Sequence, residues 1–126
     1  MTNDNLILVV EDNEANQLLT SSVLERAGYR IVLASDSRQA LDAIRLSEPD
    51  LILMDIQLPG QDGLAFTREL KADPSTAMIP IVALTALAMP GDRERSLEAG
   101  CAGYISKPID TRTLATQIQK YLAAPR

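Results

Sequence analysis

Four apolar residues, Leu51-Ile52-Leu53-Met54, run straight into a single carboxylate, Asp55, and then through Ile56-Gln57-Leu58 into Pro59-Gly60. A run this short and continuous, bounded by Pro and Gly, reads as a strand buried on both faces, the kind found in parallel sheets beneath two layers of helices. Asp55 then stands at the carboxyl end of that strand, the edge where open α/β sheets carry ligand-binding loops on a rigid support. Taken alone, an Asp there starts a turn or caps the next helix. Its significance depends on what else reaches the same edge.

Leu6-Ile7-Leu8-Val9-Val10 is a second such run, and it stops at Glu11-Asp12-Asn13. Asn13 is placed to cap a helix over Glu14 to Ala27, with Ala15, Leu18, Leu19 and Ser22 or Val23 at helical spacing and Gly28 as terminator. Tyr29 to Ala34 follows as a strand. Asp36 with Gln39 three residues later marks the start of a helix whose inward stripe is Ala40, Leu41 and Ile44 and which ends before Pro49. After the Asp55 strand, a helix from about Asp62 to Ala72 buries Phe66 and Leu70 and stops before Asp73-Pro74.

Ile79 to Leu84 is the fourth strand, with Pro80 tolerated near its start, and it ends in Thr85-Ala86. Met89 to Ala99 predicts a charged, weakly packed helix closed by Gly100. Gly103 to Ser106 is a fifth strand leading into Lys107-Pro108, and a last helix from Thr111 to about Ala123 puts Leu114, Ile118, Tyr121 and Leu122 on one face. Five alternations of strand and helix predict a parallel sheet with right-handed crossovers and helices on both faces.

Composition narrows the function classes. The chain has 126 residues, one ordinary domain over 1–126, with 46% apolar and 23% charged residues. A net charge of -5 with no Lys/Arg run argues against direct nucleic-acid binding. The polar N-terminus, the lone Cys101, which packs as a small hydrophobe, and the lack of any apolar run near the roughly 18 residues that span a bilayer predict a cytoplasmic protein without membrane insertion. With no histidine, carboxylates and lysine must carry any chemistry.

That chemistry emerges when the strand ends are collected. Glu11 and Asp12, Asp55, Thr85 and Lys107 all leave the sheet on one edge. Two carboxylates ~4 Å apart repel by roughly 4 kcal/mol at an effective dielectric of about 20, so the cluster needs a cation or a protonated member. Oxygen ligands in an open site favour Mg2+. A carboxylate is a competent nucleophile toward a phosphoryl group, and the metal, Lys107 and the Thr85 hydroxyl can neutralise its equatorial oxygens.

At these residues the sequence resembles the receiver domain of two-component response regulators. The tags are Glu11-Asp12, Met54-Asp55-Ile56 with Leu58-Pro59-Gly60 and Asp62-Gly63, Leu84-Thr85-Ala86, and Lys107-Pro108. The resemblance covers nearly the whole chain and implies a doubly wound, flavodoxin-like five-stranded parallel sheet of order 2-1-3-4-5, the strand order that general accounts of this fold give for a member of the same family. It implies that Asp55 accepts a phosphoryl group from a histidine kinase or histidine phosphotransfer protein. Asp12, Asp55 and the Gln57 backbone carbonyl would hold Mg2+, with Glu11 acting largely through water. Thr85 and Lys107 would bind the phosphoryl oxygens, and Lys107-Pro108 looks like the family's cis bond. The patterns around Ala86 to Met89 and Gly100 to Ile109 look most like the DivK-type cell-cycle regulators or receivers attached to hybrid kinases.

Switching is implied in the same way. Phosphorylation of Asp55 would turn Thr85 toward the new oxyanion, let Tyr104 rotate inward and shift residues 86–99, so that a surface around Leu87, Met89 and Tyr104 recognises a downstream protein effector. Gln57 and Leu87 would set the lifetime of the acyl phosphate. Because the sequence stops at Arg126, just past the last helix, the output is expected to be another protein. Two rival classes share parts of this pattern. A flavodoxin-type electron carrier needs a hydroxyl-rich phosphate loop where Glu11-Asp12 stand, and an aspartate-nucleophile phosphatase carries a second Asp where Gln57 stands.

Overall fold

The computed structural model describes residues 5–58, 61–86 and 91–123. In chain order its elements are β1 (Leu6–Val10), α1 (Glu14–Arg26), β2 (Arg30–Ala34), α2 (Ser37–Leu46), β3 (Leu51–Asp55), β4 (Gln57–Leu58) and β5 (Gln61–Asp62). These are followed by α3 (Gly63–Ala72), β6 (Ile81–Thr85), α4 (Asp92–Ala99), β7 (Gly103–Ser106) and α5 (Leu114–Ala123). The five long strands form one parallel sheet in the order β2-β1-β3-β6-β7, which counted among themselves is 2-1-3-4-5. The short β4 and β5 pair antiparallel outside that sheet, so Asp62, read as the start of the following helix, ends β5 and caps α3. The Pro59-Gly60 turn assigned there lies outside the described residues.

The three interior strands, β1, β3 and β6, are buried along their whole length, which is why their sequences run apolar instead of alternating. On one face Leu8, Val10, Ile52, Met54 and Ala83 pack beneath Ala40 of α2, Phe66 and Leu70 of α3 and Ala99 of α4. On the other, Ile7, Val9, Leu53, Val82 and Leu84 pack beneath Leu24 of α1 and Leu114 and Ile118 of α5. Each such aliphatic side chain contributes about 2 kcal/mol of burial free energy, so both layers are held by the sheet between them.

The predicted caps form. Asn13 accepts the Asn16 N–H at 2.9 Å, and Asp36 accepts the Gln39 N–H at 2.8 Å while the Gln39 side chain accepts the Ser35 N–H at 2.8 Å. Gly28 and Gly100 follow α1 and α4 at positive φ.

One prediction fails. The stripe Ala15, Leu18, Leu19 and Ser22 faces outward; Leu18 is 68% exposed, and α1 instead buries Thr20, Ser21 and Leu24 with Val23 half-buried. The inward face carries Leu24, fully buried in the core, and Gln17, whose side-chain amide donates to the Glu11 carbonyl and the Ser35 hydroxyl. Gln17, Thr20, Ser21 and Leu24 are spaced i, i+3, i+4, i+7 and so share one face. Ser21 donates to the Leu18 carbonyl at 3.2 Å, but the Thr20 hydroxyl is fully buried and has no hydrogen-bond partner among the described residues. A buried orphan hydroxyl costs about 1–3 kcal/mol. Thr20→Val is therefore expected to raise the stability by about 1 kcal/mol in urea unfolding; a loss of stability would show that the hydroxyl is satisfied.

Candidate functional site

Strand register assembles the site. Val10 pairs with Met54, so Glu11 and Asp12 leave β1 beside Asp55. Asp55 pairs with Leu84, which puts Thr85 one residue further along the same edge, and Thr85 pairs with Ser106, which puts Lys107 just past it. The chain after β7 is tied back by the Lys107 N–H, which donates to the Thr85 carbonyl at 2.7 Å. The backbone of Glu11 is held at both ends, its N–H donating to Ala34 and its carbonyl accepting from Gln17.

The side chains converge. Lys107 Nζ lies 3.0 Å from Asp55 Oδ2, to which it donates a hydrogen bond, and 2.8 Å from Glu11 Oε1, an ion pair by distance without hydrogen-bond alignment. The other oxygen of Asp55, Oδ1, accepts the Gln57 N–H at 2.9 Å, and Glu11 Oε2 accepts the Asn13 N–H at 3.4 Å. Glu11 and Asp55 are 1% and 3% exposed, whereas Asp12 is on the surface. One carboxylate oxygen from each of the three lies within 4.8 Å of the others. Lys107-Pro108 is cis.

The sequence pattern of the response regulator receiver domain matches residues 7–119. The chain belongs to that family. The receiver domain is 46% identical over 116 residues, 92% of this chain and 94% of the relative, to the polar-differentiation response regulator DivK of Brucella anthropi. Among solved structures it is similar to the receiver domain of a sensor histidine kinase from Pseudomonas aeruginosa PAO1, with TM-score 0.86, 39% identity, and 97% and 100% of the two chains covered. That neighbour was solved with magnesium ion coordinated in its active-site cleft. It is also similar to the chemotaxis response regulator CheY4 of Vibrio cholerae, with TM-score 0.87, 26% identity, and 94% and 99% covered.

The charges of this receiver domain are unequally balanced. Burial, together with the hydrogen bond and charge of Asp55, pushes the Glu11 carboxyl above its ordinary range, and the Lys107 ammonium only partly offsets this. For Lys107, burial disfavours the charge, but hydrogen bonds to Glu11 and Asp55 and their negative charge outweigh it and raise its pKa. Three carboxylates against one ammonium leave a net negative, all-oxygen pocket with an exposed member at its mouth. That composition fits a hard divalent cation with open coordination positions.

Thr85 is buried on the same sheet face as Ala83, whose partner across β7 is the half-buried Tyr104, so Thr85 and Tyr104 are diagonal neighbours. The Gln57 side chain is exposed, and Leu87 and Met89 lie outside the described residues. Cys101 is buried in the core, as expected, where its surroundings push the thiol pKa up. Gln17 was not singled out from sequence, and Gly63 was noted there only as part of the Asp62-Gly63 tag, with no role of its own. A polar residue four positions after a cap, on a helix whose leucines do not share one face, was the available signal for Gln17.

Proposed function

We propose that this receiver domain is a phosphorylation-controlled switch of a two-component or phosphorelay pathway, with Asp55 as the phosphoacceptor. The reading is carried by the shared Lys107 ammonium, which touches both Glu11 and Asp55 at an edge that also presents Asp12. An Asp55 carboxylate oxygen attacks the phosphorus of a partner's phosphohistidine in line with the P–N bond. That bond breaks, the imidazole leaves with the electron pair, and an acyl phosphate remains on Asp55. The Lys107 ammonium and the Thr85 hydroxyl bind the phosphoryl oxygens, the fixed amide of Gln57 holds the carboxylate in its rotamer, and buried surroundings strengthen each of these contacts. Asp12, Asp55 and the Gln57 carbonyl, with Glu11 acting through water, would hold Mg2+, which would supply positive charge to the transferring group.

Output follows from the placement of Thr85 and Tyr104. A hydroxyl drawn toward the phosphoryl group vacates space on the face that Tyr104 borders, which couples Asp55 to β7 and to α4. The partners of this reading are a histidine kinase or histidine phosphotransfer protein upstream and a protein effector downstream, with Leu87, Met89 and Tyr104 as its recognition residues and the cytoplasm as the compartment. Among the described residues, no helix is long and apolar enough to cross a membrane.

The exposed Leu18 and Leu19 lie on α1, which starts two residues after Asp12, so a donor protein approaching this edge meets them. Leu18→Asp is expected to slow transfer from a phosphohistidine protein at least about tenfold while leaving uptake from acetyl phosphate unchanged; equal rates from the protein donor would remove α1 from the docking face. The central test is intact mass after incubation with acetyl phosphate and Mg2+, for which one added phosphoryl group is expected and none would refute the phosphoacceptor.

A further inference from the structure

Gly63 opens α3, yet its backbone is not in the left-handed region that calls for glycine. Space demands it. A Cβ at this position would stand 2.4 Å from the Asp55 carbonyl oxygen, 2.6 Å from Ile56 Cα and 3.1 Å from the Asp55 carbonyl carbon, where real Cβ contacts essentially never fall under 3.0 Å. The obstructing atoms are main chain and cannot rotate away. Gly63 is also fastened from both sides: its N–H donates to the Ile56 carbonyl at 3.0 Å, and its carbonyl accepts the hydroxyl of the buried Thr67 at 2.9 Å. The first turn of α3 is thereby seated on the peptide that carries Asp55. The next amide along, Gln57 N–H, holds Asp55 Oδ1.

We propose that Gly63 is a positioning residue for the Asp55 carboxylate, its missing side chain letting α3 press the end of β3 into the geometry that phosphoryl transfer requires. The proposal rests on Asp55 being the phosphoacceptor. A methyl group there must move the Asp55–Ile56 peptide or lift α3 by several tenths of an ångström, a displacement on the scale that reacting groups do not tolerate.

The test compares Gly63→Ala with Leu70→Ala, a cavity-forming change at the buried far end of the same helix, and with Thr67→Val, which releases the Gly63 carbonyl without adding bulk. Two quantities are read: the Gln57 amide resonance, and the acetyl phosphate rate constant corrected for the folded fraction. Gly63→Ala is expected to shift the Gln57 amide and slow uptake about ten- to hundredfold, Thr67→Val to do both more weakly, and Leu70→Ala to do neither despite its lower stability. An unmoved Gln57 amide with wild-type uptake in Gly63→Ala, or an equal loss in Leu70→Ala, overturns the proposal. If Gly63→Ala does not fold, wild-type behaviour of Thr67→Val overturns it. Failure of the wild type itself to take up phosphate refutes the phosphoacceptor instead, and the Gln57 resonance still decides the role of Gly63.

Discussion

Asp55→Asn is expected to abolish phosphoryl uptake completely and, in the absence of Mg2+, to make the protein more stable. The two effects have one origin. Asp55 is buried within a group of three carboxylates, two of which share the Lys107 ammonium, so on the proposed role its charge serves the chemistry at the expense of the fold. The amide of Asn can still accept the Gln57 N–H, and removing one like charge lets Glu11 settle against Lys107. A gain of about 1–2 kcal/mol follows from one relieved contact between partly screened charges. Urea unfolding with and without Mg2+ checks it: added Mg2+ should stabilise the wild type more than the variant. A variant that still gains a phosphoryl group, or that loses stability without Mg2+, contradicts the account.

Lys107→Ala should show the reverse. Among the described residues Lys107 is the cation that contacts both Glu11 and Asp55, and its removal leaves two buried carboxylates facing each other. Breaking a buried pair from one side costs about 3–5 kcal/mol, so a loss of roughly 3 kcal/mol is expected near neutral pH, together with a severe loss of phosphorylation rate. The pH dependence has a fixed sign. Because the folded protein raises the Glu11 pKa, the penalty from its charge is at full strength above that raised value and fades as pH falls through it. Lys107 behaves oppositely at the alkaline end: its raised pKa contributes stability that is complete below the unfolded value and is lost as pH rises through the folded one. The Lys107→Ala deficit should therefore shrink on mild acidification and on adding Mg2+, both read by denaturant midpoint. A deficit independent of pH and Mg2+ would mean that Lys107 stabilises only through packing of its stem.

Much of this was legible in the chain because buried parallel strands leave a plain mark. Leu6 to Val10, Leu51 to Met54 and Ile79 to Leu84, of which the strand keeps Ile81 onward, could be placed from apolar runs, and their polar terminators then fell on one edge without any knowledge of tertiary contacts. The cap at Asn13 and the Asp36/Gln39 pair were equally readable, since they depend on neighbours three residues away. What escaped was set by long-range geometry. The leucines of α1 suggested an inward stripe, yet the inward face belongs to Leu24 together with Gln17, which is tied to the Glu11 carbonyl, and Leu18 and Leu19 turn outward. The closeness of Gly63 to Asp55 is invisible in a string of letters, because a glycine demanded by space looks the same as one demanded by backbone angle.

The tie between Gln17 and the carbonyl of Glu11 has a consequence for anyone wishing to redirect this protein to a foreign signalling source. On the proposed docking face, Leu18 and Leu19 are the places to rewrite donor preference, and they immediately follow the residue that steadies an acid of the proposed site. Edits that roll the helix even slightly will alter reactivity along with recognition. Rewiring campaigns on this scaffold should therefore hold Gln17 constant and score intrinsic labelling of each design before comparing its choice of donor.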